Sequence, residues 1–247
     1  KVLHEIAGRS LLGHVLHATS ALSSQSTTVV VGAGKDDVIA HLSAIAPNVA
    51  TVYQEVRGGT GHAVRLALTD APNQGTLLVC AGDTPLLTGS SLEDFLASHR
   101  DSGAVASILT AEIPDPFGYG RIVRTSEGFV SRIVEERDAN EAEKEITEIN
   151  SGVYIFDIAS LRDSLEKITT NNSQKEEYLT DVIKIMTSAG KNVSAYCLED
   201  FTETLGINDR SQLAECSALM RERINHALML SGVTINDPAS TWIDVTV

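Results

Sequence analysis

The sequence predicts an α/β protein built on a Rossmann-like, doubly wound and mostly parallel sheet. Two observations carry that expectation. Short apolar or β-branched runs alternate with amphipathic helical patterns from Ser10 to Thr110, which is the rhythm of βαβ units. One run, Leu77-Leu78-Val79-Cys80-Ala81, has the composition of a strand buried on both faces, and it breaks at Gly82 with Asp83 and Pro85 directly after. An acid at the carboxyl end of a central parallel strand lies where open α/β sheets bind ligands. A carboxylate there is a hard oxygen donor suited to Mg²⁺. Capping of the next turn fits the same residue equally well.

Each element has its own local reason. Ser10 to Leu22 carries Leu11, Leu12, Val15 and Leu16 at helical spacing. Thr27 to Val31 is β-branched and stops at Gly32, so it reads as a strand. A helix follows over Asp36 to Ile45, ended by Pro47, then a strand over Val49 to Tyr53 and a helix over Gly61 to Leu68. After the central run, Ser90 and Glu93 have capping-box spacing at a helix start, and Ala104 to Thr110 is the next strand. From Pro114 the rhythm changes: Arg121 to Arg124, Phe129 to Glu135 and Asn150 to Phe156 read as strands joined by short polar links. Arg137 to Glu148 is a charged, solvated segment. Helices are predicted over Ala159 to Ile168 and Leu179 to Ser188, a strand over Val193 to Leu198, and a long amphipathic helix over Arg210 to Leu230. Beyond it, Val233 to Ile235 and Trp242 to Val247 have a β-branched, strand-like texture.

Composition narrows the function. With 247 residues, 43% of them hydrophobic, the chain can bury a large core, as one large α/β domain or as one domain plus an appendage. A net charge of −14 argues against a partner with a polyanionic backbone, so no nucleic acid is expected. No apolar run is long enough to span a bilayer, so no membrane partner is expected either. Three widely spaced cysteines, Cys80, Cys197 and Cys216, fit reduced thiols and a cytoplasmic location. The seven histidines lack metal-ligand spacing.

Several stretches could carry chemistry. Gln54-Glu55-Val56-Arg57-Gly58-Gly59-Thr60-Gly61-His62-Ala63 joins a strand to a helix. Its glycines free backbone N–H groups for an anion or a polar ring, and Gln54 has the paired donor and acceptor that read a nucleobase edge. A plain surface turn would look the same, and His62 beside a helix start fits a structural role. Asp115-Pro116-Phe117-Gly118-Tyr119-Gly120-Arg121 offers backbone amides next to an aromatic ring and a cation, although by itself it fits a tight turn better. Glu135 and Asn150, at the ends of neighbouring predicted strands, suit recognition of sugar hydroxyls, although polar strand ends are common.

Taken together and in order, these stretches resemble a known family. Lys1-Val2-Leu3-His4, the loop from Gln54 to Ala63, Gly82-Asp83-Thr84-Pro85-Leu86 and Gly118-Tyr119-Gly120-Arg121-Ile122 all match it. So do Ile133-Val134-Glu135, Glu148-Ile149-Asn150-Ser151-Gly152, Asn171-Asn172-Ser173-Gln174 with Tyr178-Leu179-Thr180-Asp181, and Gly206-Ile207-Asn208-Asp209-Arg210. The chain is similar over nearly its whole length to the uridyltransferase part of the GlmU family, bacterial enzymes that also carry an acetyltransferase. Its wording around Asp115 to Arg124 and Val233 to Val245 resembles actinobacterial members.

The resemblance implies a reaction and a set of roles. UTP and N-acetylglucosamine 1-phosphate would give UDP-N-acetylglucosamine and pyrophosphate, for cell-wall precursors. The sugar phosphate is already ionised near neutral pH, so no general base is required. Lys1, Asp83 and Asn208 would be catalytic, with Asp83 and Asn208 binding Mg²⁺ and Lys1 contacting the nucleotide phosphates. Gln54, Gly59 and Thr60 would hold the uracil ring and its surroundings, and Gly120, Glu135 and Asn150 the N-acetyl sugar. Residues 1–208 would form the uridyltransferase domain, 209–231 a linking helix, and 232–247 the start of a left-handed β-helix acetyltransferase domain. The family's Gly-rich nucleotide loop and first strand would precede Lys1, which reads the sequence as a piece of a longer, homotrimeric enzyme. The alternatives are a nucleotidyltransferase for another sugar 1-phosphate, such as glucose 1-phosphate, or a nucleotide-sugar-binding fragment without activity.

Overall fold

The structure is a computed structural model that describes residues 1–245; the end of the last expected strand, 246–247, lies outside the described residues. In chain order it begins with β1 (Glu5–Ile6), β2 (Arg9–Ser10), α1 (Leu11–Ser20), β3 (Thr28–Val31), α2 (Lys35–Ile45), β4 (Ala50–Tyr53), α3 (Thr60–Ala67) and β5 (Thr76–Val79). Next come α4 (Gly89–Ser102), β6 (Ala106–Glu112), β7 (Gly120–Arg124), β8 (Val130–Val134), α5 (Glu141–Lys144) and β9 (Glu148–Asp157). The last elements are α6 (Ile158–Leu165), α7 (Asp181–Ser188), β10 (Val193–Leu198) and α8 (Arg210–Leu230). They divide into two compact units, one of residues 1–23, 81–92 and 200–247, the other of residues 24–80 and 93–199.

In the first unit β1 and β2 pair antiparallel, and the Ser10 hydroxyl accepts a bond from the Gly13 N–H to start α1. Ile6, Leu11, Leu86, Ile207, Cys216 and Met220 form its apolar core. Asp209 caps α8 by accepting from the N–H groups of Ser211 and Gln212. At the other helix end the strand-like texture is not a strand: among the described residues, Val233 to Ile235 and Trp242 to Val245 are irregular chain. A strand needs a partner for its backbone groups, and here those groups are taken singly. Val233 N–H donates to Leu228 O at 3.1 Å and Val245 N–H to Ala7 O at 3.0 Å, and between these stretches the Asn225 amide donates to the carbonyls of Pro238 at 2.9 Å and Thr241 at 2.8 Å. The Arg221 guanidinium lies 4.5 Å from the centre of the Trp242 ring. The start of α4 also differs from expectation: Thr88, not Ser90, supplies the capping oxygen, accepting from Ser91 N–H at 3.2 Å. The buried Glu203 carboxylate takes Thr88 N–H and the Ser91 hydroxyl, which holds the cap in that register.

In the second unit the Rossmann-like α/β class holds, with a mixed sheet. Its strand order is β10-β6-β9-β7-β8, with β5 also on β9, while β3 and β4 form a separate parallel pair. The β6–β10 pairing is parallel, and β9 runs antiparallel to β5, β6 and β7. The strand before Asp83 is therefore β5, antiparallel to β9 and half-buried, rather than a central parallel strand. An apolar run reports burial and leaves the direction of its neighbour open. Helices α3, α6 and α7 supply Val64, Leu161, Leu165, Val182, Ile183 and Met186 to a core that also takes Ile108, Ile122, Tyr154 and Phe156 from the sheet. The charged link after β8 contains α5, where Asn140 and Glu143 form a capping box.

Candidate functional site

The residues singled out in the sequence form three groups. In the first unit, the turn after β5 sends the Asp83 carboxylate to the Lys1 ammonium, with Nζ–Oδ2 at 2.5 Å. The same ammonium donates to Asn208 Oδ1 at 3.0 Å. Ile207 N–H donates to Asp83 O at 3.1 Å and fixes the segment carrying Asn208 beside that turn. Asp83 is thus turned to a cation rather than to a turn N–H. A carboxylate oxygen and an amide oxygen converging on one cation are hard donors, and this pair fits Mg²⁺, which takes one or two carboxylates and fills its remaining positions with water or phosphate. Among the described residues no cluster of three or more His, Cys, Asp or Glu side chains offers a different metal site.

The second group is the glycine loop between β4 and α3, within the second unit. Gln54 Nε2 donates to Gly59 O at 3.0 Å and to His62 Nδ1 at 3.1 Å, which ties the His62 ring to the loop. Gly59 has φ +100° and ψ 179°, a region open in practice to glycine alone. A Cβ there would sit 2.5 Å from Glu177 O. The close approach has a purpose: Gly61 N–H donates to Glu177 O, and Glu177 N–H to Gly58 O, both at 2.7 Å. Thr60 Oγ1 accepts from Leu179 N–H at 3.0 Å, so this hydroxyl also ties the loop to the segment before α7. Arg65 clasps the same segment through Glu177, Nη2–Oε2 2.7 Å. Nothing local in the sequence links the loop to Glu177, more than a hundred positions away.

The third group also lies in the second unit. Strand β7 separates β8 from β9, so Glu135 and Asn150 are not on adjacent strands, and Gly120 at the start of β7 stands between them. Gly120 pairs with Asn150 across the β7–β9 ladder. A Cβ on Gly120 would lie 3.5 Å from both Asn150 Cβ and Glu135 Oε2, so its absence leaves a small space between an amide and a carboxylate. Glu135 Oε1 accepts from the Thr180 hydroxyl at 2.9 Å. Burial pushes the Glu135 carboxyl above its ordinary range against the pull of that bond, and the carboxylates of Asp138 and Asp181 add to the rise. The stretch from Asp115 is the turn expected: Phe117 N–H donates to Asp115 Oδ1 and Tyr119 N–H to Pro116 O. Arg121 is buried and paired with Glu136. Two groups escaped the sequence reading: Tyr154, whose hydroxyl meets Asn150, and Thr180 as partner of Glu135.

Among the described residues no helix is long and apolar enough to cross a membrane. The bifunctional protein GlmU of Thermobifida fusca (strain YX) is 49% identical over 252 residues, a match covering 100% of this chain and 52% of that protein. The bifunctional protein GlmU of Lactococcus lactis subsp. lactis (strain IL1403) is 51% identical over 245 residues, covering 99% of this chain and 53% of that protein. The chain therefore spans about half the length of the curated relatives it matches. The structure of a nucleoside-diphosphate-sugar pyrophosphorylase from Vibrio cholerae RC9 superposes with a TM-score of 0.66 at 15% identity, over 88% of this chain and 91% of that one, and so shares the fold. The family profile described as nucleotidyl transferase matches residues 2–246. With that match over nearly every residue, the chain belongs to the nucleotidyl transferase family.

Proposed function

We propose that this chain is the uridyltransferase part of a bifunctional GlmU enzyme, joining UTP and N-acetylglucosamine 1-phosphate into UDP-N-acetylglucosamine and pyrophosphate with Mg²⁺. The observation that carries this reading is the convergence of Asp83 and Asn208 on a single cation. When bound there, Mg²⁺ supplies charge neutralisation on the phosphates. With the two oxygens on a metal ion, the Lys1 ammonium would be free for a phosphate oxygen. Gln54, with its amide protons on Gly59 O and His62 Nδ1, offers its Oε1 to the uracil edge, and the loop around Gly59 and Thr60, tied to Glu177 through Gly58 and Gly61, stays open to a flat ring. Glu135 accepts from a sugar hydroxyl and Asn150 provides an amide to the N-acetyl sugar, with Gly120 leaving room between them. No side chain need remove a proton from the nucleophile, since a phosphate monoester is ionised near neutral pH. Rate then comes from orientation and charge.

In this reading residues 1–208 make the catalytic domain, 209–231 link it onward and 232–247 lead into an acetyltransferase domain, in a cytoplasmic homotrimer. The test is pyrophosphate release by the full-length protein from UTP and Mg²⁺, with N-acetylglucosamine 1-phosphate or glucose 1-phosphate as acceptor. A preference of about tenfold or more for the N-acetyl sugar, roughly 1.4 kcal/mol, supports the proposal. Equal use, or a preference for glucose 1-phosphate, refutes the assignment of acceptor. No release with either sugar refutes the activity.

A further inference from the structure

Strand β9 is not a regular strand. On its partner β6, Ile108 faces Tyr154 and Thr110 faces Asn150, so two positions on one strand oppose four on the other. The extra residues form a bulge centred on Gly152, whose φ of +79° is a left-handed conformation that glycine adopts without strain. The bulge satisfies itself: the Ser151 hydroxyl donates to Leu109 O at 2.6 Å and accepts from Val153 N–H at 3.2 Å. In a straight strand, side chains four residues apart would lie about 13 Å apart along one face. Here the bulge brings Asn150 Nδ2 to 2.7 Å from the Tyr154 hydroxyl oxygen. The other end of the same amide accepts from Gly152 N–H at 3.3 Å. One donor and one acceptor position of the amide are thereby used, and which end of Asn150 is oxygen and which nitrogen is fixed from both sides.

Tyr154 is suited to hold that bond. Its ring is buried and stacks on Phe156, with centroids 5.5 Å apart and planes at 23°. It stands close enough to Glu135 for that carboxylate to oppose loss of its proton, and burial does so more strongly, so the hydroxyl stays neutral. Its oxygen can accept from Asn150 while its own proton remains available to an acceptor.

We propose that Tyr154 is a positioning residue for the acceptor sugar: the bulge and the Tyr154 hydroxyl lock the Asn150 carboxamide so that its remaining N–H and oxygen lone pair meet an N-acetylamino sugar in one orientation. The inference rests on the proposed role of Asn150. A sugar lacking the amide presents a hydroxyl at the same place, and a freely turning carboxamide would accept either.

The test compares Tyr154→Phe, Asn150→Ala and the double variant in the full-length protein. Readouts are KM for N-acetylglucosamine 1-phosphate, KM for UTP, use of glucose 1-phosphate and the melting temperature. Loss of the hydroxyl alone is expected to raise the sugar-phosphate KM about fivefold and leave the UTP KM unchanged. It should narrow the preference over glucose 1-phosphate, and the double variant should be no weaker than Asn150→Ala. If Asn150→Ala raises the sugar-phosphate KM but Tyr154→Phe does not, or if the two effects multiply, positioning is overturned while the site stands. If Asn150→Ala leaves that KM unchanged, the sugar-site reading itself fails, and this proposal with it. A shift of both KM values together would mark a general structural role and also overturn it. Fluorotyrosine at position 154 keeps the ring and hydroxyl but makes the oxygen a weaker acceptor. It should raise the same KM by less, and an unchanged KM there would count against the proposal.

Discussion

Replacing Gly59 with alanine should be among the most damaging single-methyl changes in the chain. Two separate effects add. The backbone at φ +100° and ψ 179° is one that L residues avoid, which costs on the order of 1–3 kcal/mol. The new Cβ would lie 2.5 Å from Glu177 O and 2.9 Å from both Glu177 N and Glu176 Cβ. Two of these are backbone atoms that cannot swing aside, and forced overpacking costs about 1–3 kcal/mol more. Partial relaxation brings the sum to about 3 kcal/mol, equivalent to roughly 6–12 °C of melting temperature for a chain of this size. Gly118→Ala is the control, because its φ is +86° but a Cβ there meets nothing within 4 Å. That variant should lose about 1 kcal/mol, from conformation alone. Thermal melts of both variants, with UTP KM beside them, give the comparison. The Gly59 variant should also bind UTP more weakly, because relaxation must loosen the Gly58–Glu177 and Gly61–Glu177 bonds that shape the loop. Equal melting temperatures for the two variants, or an unchanged UTP KM in Gly59→Ala, would refute the reasoning.

Other outcomes follow from the remaining groups. Asp83→Ala should abolish Mg²⁺ binding measured by calorimetry, and with it uridyl transfer, while the melting temperature changes little; retained binding of wild-type strength would remove Asp83 from the metal site. Glu135 has a folded pKa raised above its unfolded value, mainly by burial. Its proton therefore supports the fold at low pH, and that support is lost as pH rises through the folded pKa. Glu135→Gln removes the buried charge while keeping an oxygen for Thr180, so it should be stabilised relative to wild type at pH 8 and much less so at pH 4. The same variant should use N-acetylglucosamine 1-phosphate poorly and UTP normally. A stability difference independent of pH, or a loss confined to UTP, would contradict this.

Much of the architecture could be read from local patterns, and the exceptions share a cause. α1 and α8 could be read because each periodic run is contiguous in sequence, and Ser10 and Asp209 cap them from directly beside it. Thr88 did not announce itself against Ser90, because the choice depends on Glu203 arriving from far along the chain. The apolar run of β5 signalled burial but not its antiparallel neighbour β9. Among the candidate site residues, Asp83, Glu135 and Asn150 stood out by type and place. Glu177, Thr180 and Tyr154 did not, since each matters through a contact that no spacing rule encodes. The bulge at Gly152 hides from a period-two reading, which assumes that every residue of a strand takes its turn.

The unit that holds Lys1, Asp83 and Asn208 is assembled from three stretches of chain, and the bond between its first residue and Asn208 spans 207 positions. During synthesis at about 5–20 residues per second, the opening helix must wait on the order of 10–40 s before its partner segments exist. Through that interval Leu11, which ends fully buried beside Leu86 and Ile207, has no core to enter. The residues 24–80 and 93–199 can meanwhile form a sheet of their own, since every strand pairing of that unit lies within it. Folding order is thus written into the chain's route: the Glu135 and Asn150 group can mature early, the Lys1, Asp83 and Asn208 group last. A stalled ribosome with residues up to 199 clear of its exit tunnel and Asn208 still inside should display the Glu135–Thr180 pair and leave Lys1 and Asp83 without Asn208.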